Sequence, residues 1–153
     1  MASQQITSLF QDFGRQIGIE RLALDDYGYC CLFFDDVCVN IEVEETSGRL
    51  FLYARIGDLP PQGDRIALYE LLLDGNHFFQ GTDGGTLGVD TDNGIAAFVQ
   101  SLSLASLDVR GLELALERFV AFTRNWQDRW QKVVETASNA REAIPGFSEG
   151  IRG

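Results

Sequence analysis

His77 is the single histidine of the chain, so any Ser-His-Asp or Cys-His mechanism would have to run through it. It stands just past an apolar helical segment, where an imidazole caps carbonyls or packs. No nucleophile-elbow or papain-like sequence accompanies it. The acidic pairs Asp25-Asp26, Asp35-Asp36 and Glu44-Glu45 have the residue types of paired-carboxylate chemistry. Neighbours along a strand point to opposite faces, however, and these pairs lie in or beside turns, so they read as solvated turn residues. Asp90-Thr91-Asp92-Asn93-Gly94 begins like a calcium loop, but the sixth and twelfth positions, where an EF-hand needs Gly and Glu, hold Ile95 and Ser101. It reads as a hairpin turn. Gly81-Thr82-Asp83-Gly84-Gly85-Thr86 is Gly-rich, yet no Lys follows it and no strand–loop–helix context surrounds it, so it is a flexible connection and not a phosphate loop. Trp126 and Trp130 are one helical turn apart; core packing accounts for them more simply than ligand stacking. Three cysteines, two of them adjacent (Cys30, Cys31, then Cys38), and one histidine cannot build a zinc or iron–sulfur site without carboxylates supplying most ligands. The cysteines read as reduced thiols. No catalytic, cofactor-binding or metal site emerges.

The elements that would position any site follow from periodicity. Ile6, Leu9, Phe10, Phe13 and Ile17 form one apolar helical face, with Ser3 as N-cap and Gly18 as stop. Strand material then runs over 29–34, 37–44 and 49–56. Read as two-residue hairpins, the turns set Phe34 opposite Val37, Leu32 opposite Val39 and Cys30 opposite Ile41. Across the second turn, Val43 falls opposite Leu52 and Ile41 opposite Ala54. One sheet face is then wholly apolar: Cys30, Leu32, Phe34, Val37, Val39, Ile41, Val43, Leu50, Leu52 and Ala54. The other carries Tyr29, Cys31, Phe33, Cys38, Asn40, Glu42, Glu44, Phe51, Tyr53 and Arg55, aromatic bodies among charges. Such a face calls for a cover, either a helix of the same chain or a partner.

After Pro60-Pro61, Asp64 can cap a helix running to about Asp74, with Gly75-Asn76 as its stop. This helix is apolar almost all round, so it is either buried centrally or turns one stripe to a second subunit. A short strand over 86–90, an Asn-Gly turn and a returning strand over 95–102 follow. Asp108 caps a long helix whose apolar positions are Leu112, Leu116, Phe119, Phe122, Trp126, Trp130 and Val133. The order α-β-β-β-α-β-β-α describes an α+β domain, an antiparallel sheet packed with helices. Residues 1–137 form that domain, and 138–153 read as a flexible tail.

The 153 residues suffice for one domain with a sizeable core. Twelve basic against 23 acidic side chains give a net charge of −11, which argues against nucleic acid and anionic membrane surfaces as partners. The N-terminus lacks the basic and apolar regions of a secretory signal, and no apolar run approaches the roughly 20 residues of a membrane span. High acidity, a half-polar aromatic sheet face and an over-apolar middle helix point to a protein that binds protein.

Several local sequences, in order, resemble the class I type III secretion chaperones, the CesT/SycE (Tir chaperone) family. They are Ile6 to Ile17 with Leu22-Ala23-Leu24-Asp25, then Leu72-Leu73-Asp74-Gly75-Asn76, the Gly81–Gly85 loop with Thr86-Leu87-Gly88, and the helix from Leu112 to Trp130. The resemblance covers roughly 3–134. It implies a small acidic homodimer of the bacterial cytoplasm that hydrolyses nothing and needs no cofactor. Such a protein binds the N-terminal non-globular segment of a secreted effector and keeps it secretion-competent. Carried over, the dimer interface would use Ile66, Leu68, Tyr69, Leu72 and Leu73. The effector patch would draw on Phe10 and Phe13, joined by Phe33, Phe51 and Tyr53 from the sheet register. The alternative on the same fold is a regulatory module that sequesters a regulator of secretion.

Overall fold

The structure, a computed structural model, describes residues 2–61 and 65–143. The elements are α1 (Gln4–Ile17), β1 (Tyr29–Phe34), β2 (Val37–Glu44), β3 (Arg49–Asp58), α2 (Ile66–Asn76), β4 (Thr86–Asp90), β5 (Ile95–Ser103) and α3 (Val109–Glu142). Short 3₁₀ turns follow α2 and β5, over His77–Phe79 and Leu104–Ser106. The order is the one periodicity predicts.

The ends of α1 are set by its caps. Ser3 Oγ accepts from the Ile6 amide at 3.4 Å, and Gly18 closes the helix at φ +82°, a left-handed conformation that only glycine adopts at little cost. Asp108 caps α3 through a 2.7 Å bond from the Gly111 amide. The proposed cap of α2, Asp64, lies outside the described residues. Gly75 does not stop α2 but lies inside it. Its role is close approach, because a Cβ there would run into the Trp126 ring. Helix α3 continues through Glu142, so 138–142 are helical and not the loose tail expected; 144–153 lie outside the described residues.

The strands form one antiparallel sheet in the order β1-β2-β3-β5-β4. The β1–β2 register is the expected one, with Phe34 opposite Val37 and Cys30 opposite Ile41. The β2–β3 register differs: Val43 faces Leu50 and Ile41 faces Leu52. The reason is a turn over 45–48, with Glu44 pairing Arg49, where a two-residue turn was expected. A slip of two keeps every side chain on its face, since the pleat has period two.

Helices occupy one side of this sheet. Phe10 and Phe13 of α1, Leu68 and Leu72 of α2, and Leu112, Leu116, Phe119, Trp126 and Trp130 of α3 share a single core with the inner sheet face. Phe98 of β5 stacks on Phe119 with ring centroids 4.9 Å apart. Every fully buried residue of β1 and β2 lies on that inner face, and the outer-face residues of all five strands are half-buried or exposed.

The Gly81–Gly85 loop is not the slack connection its composition suggests. Trp126 Nε1 donates to the Gly81 carbonyl at 2.8 Å, Arg118 holds the Asp83 carboxylate at 2.6 Å, and Thr82 is fully buried.

Candidate functional surfaces

The chemistry-bearing residues spend their groups on structure. Asp90 accepts from the Asp92 and Asn93 amides and from Asn93 Nδ2. These bonds, the Asn93 side chain first, lower its pKa. Its carboxylate therefore closes its own turn. Arg124 reaches both Asp35 and Asp36 and donates to the Phe34 carbonyl, pinning the β1–β2 turn to α3. His77 sits edge-on to the Phe78 ring. Trp126 is wholly buried, with the Arg129 guanidinium 4.1 Å from its ring centroid. Core packing, not ligand stacking, explains the Trp126–Trp130 pair.

Two surfaces remain. The first is the outer sheet face. Phe33 is 75% exposed there, while Phe51 and Tyr53 are half-buried. Between them, Tyr29 Oη donates to Asn40 Oδ1 at 2.7 Å, and Asn40 Nδ2 donates to the Tyr53 carbonyl at 3.1 Å. Burial, and then the Glu42 and Tyr29 charges, push the Tyr53 phenol up from its ordinary value. The face thus offers apolar rings held by a fixed polar network. Phe10 and Phe13, expected to join this patch, are each only 1% exposed. They belong to the core, because the helical stripe that made them candidates is the stripe α1 buries. They meet the surface only as floors of two grooves, one beside Leu22 and Leu24, the other between α1 and α3 beside Ile17 and Leu116.

The sheet edges are unequal. At β1, the Tyr29 amide donates to Asp25 Oδ1 at 2.9 Å, and the Tyr29 carbonyl accepts from the Asp25 amide at 2.8 Å. By the alternation of an antiparallel ladder, Cys31 and Phe33 point their amides and carbonyls the same way, off the sheet. At β4, Asn76 acts as a substitute strand: its Oδ1 accepts from the Leu87 amide at 2.8 Å and its Nδ2 donates to the Leu87 carbonyl at 2.9 Å. The side chain at the end of α2 therefore closes the β4 edge at Leu87, while the distal half of β1 stays open.

The second surface is the far side of α2. The structure splits the five residues expected at the dimer interface. Ile66 and Leu73 stand 63% and 69% exposed and Tyr69 is half-buried, whereas Leu68 and Leu72 are buried in the chain's own core. Leu68 and Leu72 are a correction: the helix is apolar on two sides, and they are on the inner one. Sequence reading missed Phe78 and Phe79, both exposed and both at positive φ (51° and 56°). Bulky side chains rarely adopt that conformation. Two consecutive aromatics past a helix end were the available signal.

Cys31 and Cys38, expected as free thiols, are joined as a disulfide. Cys30 is free; burial and the nearby Asp25 charge push its thiol up to about 11. Among the described residues, no helix is long and apolar enough to cross a membrane.

Comparison with known proteins places the chain. The Tir chaperone protein (CesT) family matches residues 8–127. The Chlamydia pneumoniae protein CPj0713/CpB0740 is 26% identical over 122 residues, which is 79% of this chain and 92% of that one. The structure of the HopA1–SchA chaperone–effector complex contains a chain 26% identical, with a TM-score of 0.63 over 84% of this chain and 94% of that one. A chain of the ExsC–ExsE complex, 24% identical, shares the fold with a TM-score of 0.70 over 81% of this chain and 92% of its own.

Proposed function

This chain belongs to the Tir chaperone protein (CesT) family, a family of chaperones and not of enzymes, and on that premise we propose how it holds its client. It is a type III secretion chaperone. It works as a homodimer in the bacterial cytoplasm and binds the N-terminal non-globular segment of a secreted effector. The observation that carries this reading is the one-sided sheet, whose outer face presents Phe33, Phe51 and Tyr53 and whose β1 edge leaves the Cys31 and Phe33 backbone groups open. A disordered segment loses ordering entropy when it binds, so it needs apolar anchors over a long path. Strand addition along β1 gives affinity with little demand on sequence, and Phe33 beside that edge gives an anchor. The grooves floored by Phe10 and Phe13 extend the path onto the helical side.

The dimer reading draws on the outward stripe of α2. Ile66 and Leu73 are exposed on α2, and Phe78 and Phe79 are exposed just past its end; a second copy would cover these apolar side chains. The net charge of −11 keeps such a protein soluble despite its apolar surfaces and favours basic client segments.

The test is affinity capture of the tagged chain from its native bacterium, with light scattering and limited proteolysis of the complex. Two copies of this chain holding one larger protein, whose N-terminal segment becomes protease-resistant, is the expected result. A bare monomer at micromolar concentration overturns the dimer. A client held through a folded domain overturns the extended-segment reading.

A further inference from the structure

The Cys31–Cys38 bridge has a placement that suits reversible chemistry better than a structural staple. Cys31 lies opposite Asn40 and Cys38 opposite Phe33, so the two cysteines are diagonal neighbours on the outer face of the β1–β2 hairpin. Their Cα atoms are 6.7 Å apart, within the roughly 4.4–6.8 Å that a disulfide spans. The hairpin between them is already closed. Six residues of β1 pair with β2 from Tyr29–Glu42 to Phe34–Val37, and Arg124 pins the turn from α3. The strands therefore stay in register whether the bond is made or broken. Both cysteines are half-buried on a face that carries no part of the core, so a small thiol can reach the bridge.

We propose that Cys31 and Cys38 form a reversible dithiol–disulfide site, opened and closed with the fold intact by small thiols of the glutathione class. The exchange balances. A glutathione disulfide accepts two electrons and two protons from the Cys31 and Cys38 thiols, giving two glutathione thiols and the protein bridge. Reduction runs the same couple in reverse, through a mixed disulfide at one of the two sulfurs.

The third cysteine does not interfere. Cys30 is next in sequence to Cys31 but faces inward, opposite Ile41 on the core side. Alternation along the strand thus insulates the pair from the nearest competing sulfur. Burial keeps Cys30 a thiol at neutral pH, and the thiolate is the attacking species in exchange. The site depends on the sheet geometry alone and stands apart from the identity of any client.

The experiment equilibrates the full folded chain in reduced or oxidised glutathione, quenches in acid, and alkylates with iodoacetamide in denaturant before weighing. With three cysteines and one bridge, the oxidised chain carries one label and the reduced chain three, and returning the reduced chain to oxidised glutathione restores one. Far-UV circular dichroism is the same in both states. The Cys38→Ser variant folds and carries two labels in reduced glutathione; in oxidised glutathione it forms no internal bridge, and any label it loses is matched by the mass of one bound glutathione, because Cys31 then has no partner to resolve the mixed disulfide. Three labels after oxidation, a bridge that native reduction fails to open, or loss of helix and sheet signal on reduction would each overturn the proposal. Disulfide-linked dimers in place of the internal bridge would overturn it too.

Discussion

The two faces of one sheet are built from the same strands, and often from adjacent residues, yet they do opposite work. On β3, Leu50, Leu52 and Ala54 are buried under α3, while Phe51 and Tyr53 between them look outward with their rings half-exposed. On β1, Leu32 is buried and Phe33 is 75% exposed. Helix α2 repeats the contrast, with Leu72 inside and Leu73 outside. Hydrophobicity alone does not separate core from binding surface in this molecule; parity along the strand and phase around the helix do.

The strongest way to break that comparison is on α2. Leu72→Asp puts an unpaired carboxylate into the core and is expected to cost more than about 4 kcal/mol, a large fraction of the stability of a domain of this size. Leu73→Asp, one residue on, leaves the domain folded and separates the proposed dimer. Circular dichroism with light scattering distinguishes the two. A folded, fully dimeric Leu73→Asp protein removes the outer side of α2 from the interface.

A smaller effect compares two phenylalanines across the sheet. Phe98→Ala empties the place where its ring stacks on Phe119 and should cost about 3–5 kcal/mol in urea unfolding. Phe33→Ala should stay within about 0.5 kcal/mol of the parent, as substitutions away from buried features do. Its expected loss is in client capture. A Phe33→Ala chain that binds its client as tightly as the parent would end the claim that the outer face is a docking surface.

Most of the fold was legible because period and parity are robust signals. The β2–β3 register was misread by two residues, since Glu45-Thr46-Ser47-Gly48 turns with four residues where Ser47-Gly48 suggested two, yet no face assignment changed. Gly75 was misread as a stop because glycine signals both helix ends and close approaches, and the approach of Trp126 is tertiary information. The site was less legible. Phe10 and Phe13 share one helical stripe, and a stripe gives a direction without saying what lies there. The outer-face residues Phe33, Phe51 and Tyr53 came from the strand register, which local turns fix. The register also set Cys31 and Cys38 on one face, but the cysteines were read as reduced thiols without regard to that placement.

The finest form of the comparison sets Cys30 against Cys31. They are consecutive, one facing the core and one the outer surface, so alkaline titration should separate them. In the folded chain the Cys30 thiol is pushed from 9.0 to about 11, by burial first and then by Asp25. A thiol whose folded pKa is raised favours the folded state while it is neutral. That contribution is complete below pH 9 and is lost as pH rises from about 9 toward 11. Cys30 is only partly buried, so solvent screening makes the effect the smallest of those considered. Cys31, held in the bridge, does not titrate. With the bridge intact, the urea midpoint of the parent should therefore fall more steeply between pH 9 and 11 than that of Cys30→Val, whose apolar side chain replaces the thiol at the inward position opposite Ile41. Coincident slopes would mean that Cys30 is as solvated as a residue of the outer face, and the division of β1 into an inner and an outer side would fail at that residue.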